Sequence, residues 1–358
     1  MPTLQLADLV FEGGGVKGIG LAGAYGALRE RGVVPKRVAG TSAGAITAAL
    51  VAAGYEADEL DRILLEVPFA KFKDESWEDK IPLAGHALSV LTQRGIYEGR
   101  FFESWMRGLL EAKGIRTFGQ LADKEATALK ERYRLKVIVS DVTNRRLLVL
   151  PDDADFLGVD PDELEVAYAV RMSMSIPIFF EPVMHPNPRT KRDHLIVDGG
   201  MLSNFPVWLF DAEAGTPPRW PTFGLLLVEG KPKESVARRL ETDEHGSVRG
   251  SVVDYVKALA STMMEAHDRL YLEKATFVRT IPIPTLGVGT TEFGITRPRI
   301  EALYGSGRTA AFGFLDRWDF DAYIAEYRSG KEHSRSEELA TRQVPPRSAP
   351  PSGAPAPA

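Results

Sequence analysis

Apolar positions along this chain fall into short runs, and most runs are followed by a small-residue or amphipathic stretch. Asp8-Leu9-Val10-Phe11 reads as a buried strand that ends in glycines. Residues 18–31, GIGLAGAYGALRER, set Gly20, Gly23, Ala24 and Ala27 at helical spacing. Glycine costs about 1 kcal/mol against alanine inside a helix, so several together predict close packing on a sheet. Arg37-Val38-Ala39 is a second, shorter strand, and AITAALVAAG carries a helix to Gly54. Glu56–Glu66 extends the helical pattern until Pro68 stops it. Later strands are predicted at Leu135–Asp141, Leu147–Leu150, His194–Val197, Thr222–Val228 and Phe277–Ile283. Helices are predicted over Asp162–Ser173, 250–274 and Arg297–Tyr327, with a helix start at Asn204-Phe205-Pro206.

Strands alternating with helices over this length predict an α/β fold, three layers around a largely parallel central sheet. Residues 1–328 are expected to form a single domain. Within it, 69–106 is rich in aromatic residues, lysines and acids without a sheet period, and it reads as a helical cap or a peripheral helical layer. The stretch 284–296, PTLGVGTTEFGIT, is expected to line the approach to the site together with that segment. Residues 329–358 lack aromatic residues and end in PPRSAPPSGAPAPA, which predicts a disordered tail.

Composition narrows the chemistry. Hydrophobic residues make up 44% of the 358 positions, enough for a sizeable core without staples. There is no cysteine, which excludes disulfides, thiolate metal sites and a thiol nucleophile. A net charge of −5 speaks against nucleic acid as a partner. MPTLQLADLVFEGGG has neither a basic nor a long apolar region of the kind a signal peptide needs. No run approaches the roughly 20 apolar residues of a membrane span.

Two glycine-rich turns carry the candidate chemistry. Gly40-Thr41-Ser42-Ala43-Gly44 fits the G-x-S-x-G elbow. Small neighbours let a sharp strand-to-helix turn expose the serine at a helix N-terminus, where developing negative charge is favoured. Gly13-Gly14-Gly15-Val16-Lys17-Gly18 formally matches a dinucleotide turn, G-x-G-x-x-G. That use expects an acid at the end of the second strand, and the strand ends instead in Gly40-Thr41-Ser42. The competing use is an oxyanion hole built from the N–H groups of the first turn. A nucleotide-binding or regulatory module without hydrolase activity is the alternative from another class.

A serine nucleophile needs a base. None of the six histidines, His86, His185, His194, His245, His267 and His333, stands in a strand-end turn of its own. They read as structural or solvated. Two carboxylates end strands, Asp141 and Asp198. Gly199 and Gly200 let Asp198 turn back toward the sheet edge, which favours it over Asp141.

Taken together, Gly13–Gly18, Gly40–Gly44 and Asp198-Gly199-Gly200 resemble the patatin-like phospholipase family. The segment SMSIP with Phe180-Glu181-Pro182 is similar to a further block of that family. The resemblance implies a Ser–Asp dyad, with Ser42 as nucleophile and Asp198 orienting or accepting its proton. It implies that the first glycine turn, completed by Ala43 of the elbow, is the oxyanion hole. It implies hydrolysis of acyl esters of phospholipids or related lipids, with no metal and no cofactor. Acyl transfer to an acceptor other than water would use the same serine. Lys17 stands where many members carry arginine, which keeps the charge. The expected setting is cytoplasmic, with peripheral contact to a membrane. The sequence carries no signal for oligomeric state.

Overall fold

The computed structural model describes residues 5–65, 99–126, 129–177, 179–212, 216–229, 274–290 and 292–327. Eight strands form one sheet: β1 (Gln5–Phe11), β2 (Val33–Thr41), β3 (Leu135–Asp141), β4 (Arg146–Leu150), β5 (Val183–Pro186), β6 (Asp193–Asp198), β7 (Thr222–Val228) and β8 (Thr280–Pro284). Their order is β5-β6-β3-β2-β1-β7-β8, with β4 beside β3. The pairs within β3-β2-β1-β7-β8 are parallel, whereas β4, β5 and β6 join antiparallel. Every residue of β3 and β7 is buried, as expected of strands covered on both faces.

Helices flank the sheet. They are α1 (Ile19–Glu30), α2 (Ala43–Ala52), α3 (Ala57–Leu65), α4 (Arg100–Ala112), α5 (Val166–Ser173), α6 (Arg297–Leu315) and α7 (Phe320–Tyr327). All ten residues of α2 are buried, which suits a helix that is apolar on every face. The glycines of α1 serve a helix crossing more than the sheet. A Cβ on Gly23 would sit 2.0 Å from the Tyr304 carbonyl, and one on Gly307 would sit 1.9 Å from the Gly20 carbonyl. So α1 and α6 touch backbone to backbone, and the sequence expectation of packing on the sheet holds only for Gly20, beside Ile283.

The pairing along β3 places the site. β4 pairs with β3 from Val137 to Asp141 and fills one edge of it. On the other edge β2 pairs with Leu135–Ile138, and β6 takes over from Val139 to Asp141. Thr41 lies opposite Ile138, and Asp198 lies opposite the next residue, Val139. The C-terminal ends of β2 and β6 therefore meet head-on along a single edge.

Several boundaries differ from the sequence pattern. β2 starts at Val33, several residues before the predicted Arg37, because Pro35 and Lys36 interrupt its apolar run. α5 starts at Val166, since Asp162 is used outside the helix, where it bonds Arg132 and accepts from the Tyr133 hydroxyl at 2.7 Å. Arg297–Tyr327 is two helices, and Trp318 between them packs edge-on against Phe223 at 5.2 Å. Phe277 belongs to a helical turn, Lys274–Val278, ahead of β8. Asn204-Phe205-Pro206 precedes only a short 3-10 turn, Val207–Phe210. The predicted helix 250–274 and the tail 329–358 lie outside the described residues, except for Lys274. Among the described residues, no helix is long and apolar enough to cross a membrane.

Candidate active site

β2 delivers Ser42 into a sharp turn with φ 53 and ψ −128, and α2 starts at the next residue. A serine in this region costs about 1–3 kcal/mol, held in place by the surrounding structure. The holding contacts are specific. The Ser42 N–H donates to Ser173 Oγ at 2.9 Å, and Ser173 Oγ donates to the Ile138 carbonyl at 2.6 Å. Thr41 Oγ1 donates to the Ser203 carbonyl at 3.1 Å. Glycine is required at position 44, where a Cβ would fall 2.3 Å from the Phe11 carbonyl and 2.5 Å from that of Glu12. Gly44→Ala is therefore expected to destabilise the fold by about 1–3 kcal/mol through overpacking. Denaturant unfolding checks this, as a fall in midpoint without a change in slope.

Asp198 ends β6 and is fully buried, as is Ser42. Its N–H donates to the Ser175 carbonyl at 2.9 Å, and its Oδ1 accepts from the Gly200 N–H at 2.7 Å. Burial pushes the carboxyl up from an ordinary 3.8 to about 7, while the Ser42 hydroxyl and the Gly200 N–H favour its charged form. The two side chains are neighbours without a completed hydrogen bond. Asp198 Oδ2 has no hydrogen-bond partner, and Ser42 Oγ contacts Met174 Sδ at 3.7 Å. Sites of this kind commonly tighten only when substrate arrives.

The first turn lies against this pair. A Cβ on Gly13 would be 3.1 Å from Ser42 Cβ, and one on Gly18 would be 3.1 Å from Ala43 Cβ. Of its N–H groups, Gly13 donates to the Asn204 carbonyl at 3.1 Å, Val16 to that of Thr290 at 3.0 Å and Lys17 to that of Gly14 at 3.2 Å, and Gly18 closes the 3-10 turn Gly15–Gly18. Among the described residues, the N–H groups of Gly14, Gly15 and Ala43 make no hydrogen bond. The donor set is thus smaller than the whole turn. The Lys17 side chain is 15% exposed, and its Nζ lies 3.6 Å from Glu229 Oε1. No acid stands at the end of β2, so the ribose partner of a dinucleotide turn is missing.

Residues 284–296 do reach the first turn, through Thr290 and through an apolar cluster of Val16, Ile19, Ile176, Phe180, Val288 and Phe293. Most of 69–106 lies outside the described residues; its last part belongs to α4, which buries Phe102 and Met106. A cavity of about 700 Å³ opens at the opposite ends of β2 and α2, beside Arg37, Gly54 and Arg134, and holds none of the candidate residues.

The rival carboxylate has another task. Asp141 Oδ2 accepts from His194 Nδ1 at 2.8 Å and from Asn144 Nδ2 at 2.7 Å, while Asn187 Nδ2 meets His194 Nε2 at 3.1 Å. His194 and His185 are both buried in contacts of this sort, in line with a structural reading. The sequence pattern did not reveal the work of Ser173, Met174 and Ser175. These residues are the SMSIP block, which bridges the serine and the carboxylate.

A serine on a strained strand–helix turn, beside a buried carboxylate at one end of a mostly parallel sheet, marks an α/β fold of hydrolase type. The chain belongs to the patatin-like phospholipase family, whose model matches residues 9–211. Membership supports a lipid hydrolase at the level of the family, with lipids as the substrate class. The chain is 39% identical over 320 residues to YqhO, an uncharacterised protein of Bacillus subtilis, covering 87% of this chain and 99% of that one. It is 31% identical over 203 residues to Rv2565, an uncharacterised NTE family protein of Mycobacterium tuberculosis, spanning 55% of this chain but only 27% of that protein. The solved structure of VipD from Legionella pneumophila shares the fold, with a TM-score of 0.54 at 18% identity over 87% of this chain and 66% of that one.

Proposed function

We propose that this chain is a lipid acyl hydrolase of the phospholipase A or lysophospholipase type, working by a Ser42–Asp198 dyad. The observation that carries the reading is the head-on meeting of β2 and β6, which sets a buried carboxylate of pKa about 7 beside the elbow serine. A base with that pKa is matched to proton transfer near neutrality.

In the proposed reaction Asp198 takes the proton of Ser42 Oγ as the oxygen attacks the ester carbonyl. The carbonyl oxygen becomes an oxyanion, and the N–H groups of Gly14, Gly15 and Ala43 are the donors free to receive it. One such donor is worth about 3 kcal/mol of transition-state stabilisation. Collapse breaks the ester C–O bond, and Asp198 returns the proton to the departing alcohol. Water then attacks the acyl-serine with Asp198 again as base, the bond between the acyl carbon and Ser42 Oγ breaks, and Asp198 returns the proton to Ser42 Oγ as the fatty acid leaves. The apolar cluster of Val16, Ile19, Ile176, Phe180, Val288 and Phe293 offers a wall for the acyl chain. Such an enzyme meets its substrate by peripheral contact with a membrane, and the hydrolase unit is assigned to residues 1–328.

A panel of diacyl phospholipids and lysophospholipids, followed by mass spectrometry, tests this. Release of free fatty acid with the matching lyso-lipid or glycerophosphodiester is the expected result. An intact panel after prolonged incubation would contradict it.

A further inference from the structure

We propose that Asn204 is the positioning residue of the oxyanion turn, and that it ties that turn to the segment carrying the base; this rests on the hydrolase reading above. Asn204 holds Gly13 on both sides. Its carbonyl accepts the Gly13 N–H at 3.1 Å, and its Nδ2 donates to the Gly13 carbonyl at 3.0 Å. The same Nδ2 reaches Glu12 Oε1 at 3.4 Å, while Glu12 Oε2 accepts the Leu227 N–H. With both polar groups of Gly13 engaged, the next two N–H groups, those of Gly14 and Gly15, remain as donors. Gly13 is gripped between Asn204 and the nucleophile: a Cβ there would lie 2.1 Å from Asn204 Oδ1 and 3.1 Å from Ser42 Cβ.

The clasp belongs to a compact segment. The N–H groups of Leu202 and Ser203 both donate to the Gly199 carbonyl, at 3.0 and 2.9 Å, and the Ser203 carbonyl accepts from Thr41 Oγ1 at 3.1 Å. Residues 198–204 thereby bond the base, the elbow strand and the oxyanion turn in one stretch. A shift of the clasp moves the donors relative to Ser42 Oγ, while leaving the nucleophile and base in place. Donor position matters only once charge has moved onto the carbonyl oxygen, so its loss falls on turnover and not on ground-state binding.

Asn204→Asp separates this role from space filling. The substitution keeps the volume and the backbone bond to Gly13 but removes the Nδ2 donor and faces the Glu12 carboxylate with a like charge. Rates are measured with a soluble short-chain ester, per active site titrated by a fluorophosphonate probe, so that only folded, reactive protein counts. The expected result is a kcat lower by about 100-fold with KM changed less than about twofold, in both Asn204→Asp and Asn204→Ala. Asn204→Gln, which retains the amide, is expected to recover part of the loss. An Asp variant with wild-type kcat, or a loss confined to KM, overturns the positioning role while leaving the dyad standing. A wild-type protein without Ser42-dependent turnover overturns both the function and the inference built on it.

Discussion

Ser42→Ala is expected to lower ester hydrolysis by about a thousandfold or more, because it removes the proposed nucleophile while leaving the proposed oxyanion donors and substrate wall. The fold should survive. Ser42 Oγ contacts Met174 Sδ at 3.7 Å and lies beside the Asp198 carboxyl, while the bonds that shape the elbow run through the Ser42 N–H and the Thr41 hydroxyl. Alanine keeps the same backbone strain at φ 53. The unfolding midpoint is therefore expected within about 1 kcal/mol of wild type, as for substitutions that break no buried network. The measurement is turnover beside thermal unfolding on the same preparation. A variant with full activity would place the chemistry elsewhere.

Asp198→Asn carries the second large effect, and it has two parts of opposite sign. Activity should fall by a similar order, since the amide cannot take the Ser42 proton. Stability at neutral pH should rise. The folded carboxyl titrates at about 7 and the ordinary value is 3.8, so the native state holds the proton over a window in which the unfolded chain has released it. In wild type the neutral-carboxyl stability is fully present below about pH 4 and lost as pH rises through about 7. The gap between the ordinary and the folded value corresponds to about 4 kcal/mol at most. The amide of the variant would carry no charge to bury and would keep an acceptor for the Gly200 N–H. The gain of the variant over wild type should therefore be largest above pH 7 and vanish near pH 4. Unfolding free energies across that range check it, and a constant difference would contradict the assignment of the buried charge. A side chain that costs stability where it works is the expected signature of a functional group.

Much of this candidate site is legible in the sequence because its parts are local. A glycine turn, G-x-S-x-G and Asp-Gly-Gly each announce a backbone conformation through small residues, and each sits at a strand end in the fold. The glycines that follow Asp198 distinguish it from Asp141 in the sequence. In the fold Asp141 is occupied with His194 and Asn144. What escaped is long-range. Ser173, Met174, Ser175 and Asn204 act through contacts across distant stretches of chain; the SMSIP block is visible only as a resemblance and Asn204 only as a helix start, and neither pattern tells which atoms these residues hold. The strand β5 is not legible for a related reason: Val-Met-His-Pro is short and lies among prolines, and only its pairing with β6 defines it. The first turn shows the reverse case, where the sequence offered more donors than the fold leaves open, because Asn204, Thr290 and Gly14 take three of them.

The dyad is tested most directly by the rate at which a fluorophosphonate labels Ser42, followed from pH 5 to pH 9 and mapped by peptide mass spectrometry. Ser42 is expected to be the single labelled residue. Its rate should climb with pH to a plateau with its midpoint at about 7, and the profile of Asp198→Asn should be low and flat. Labelling at another serine, or a wild-type rate with no inflection across that range, would contradict the dyad.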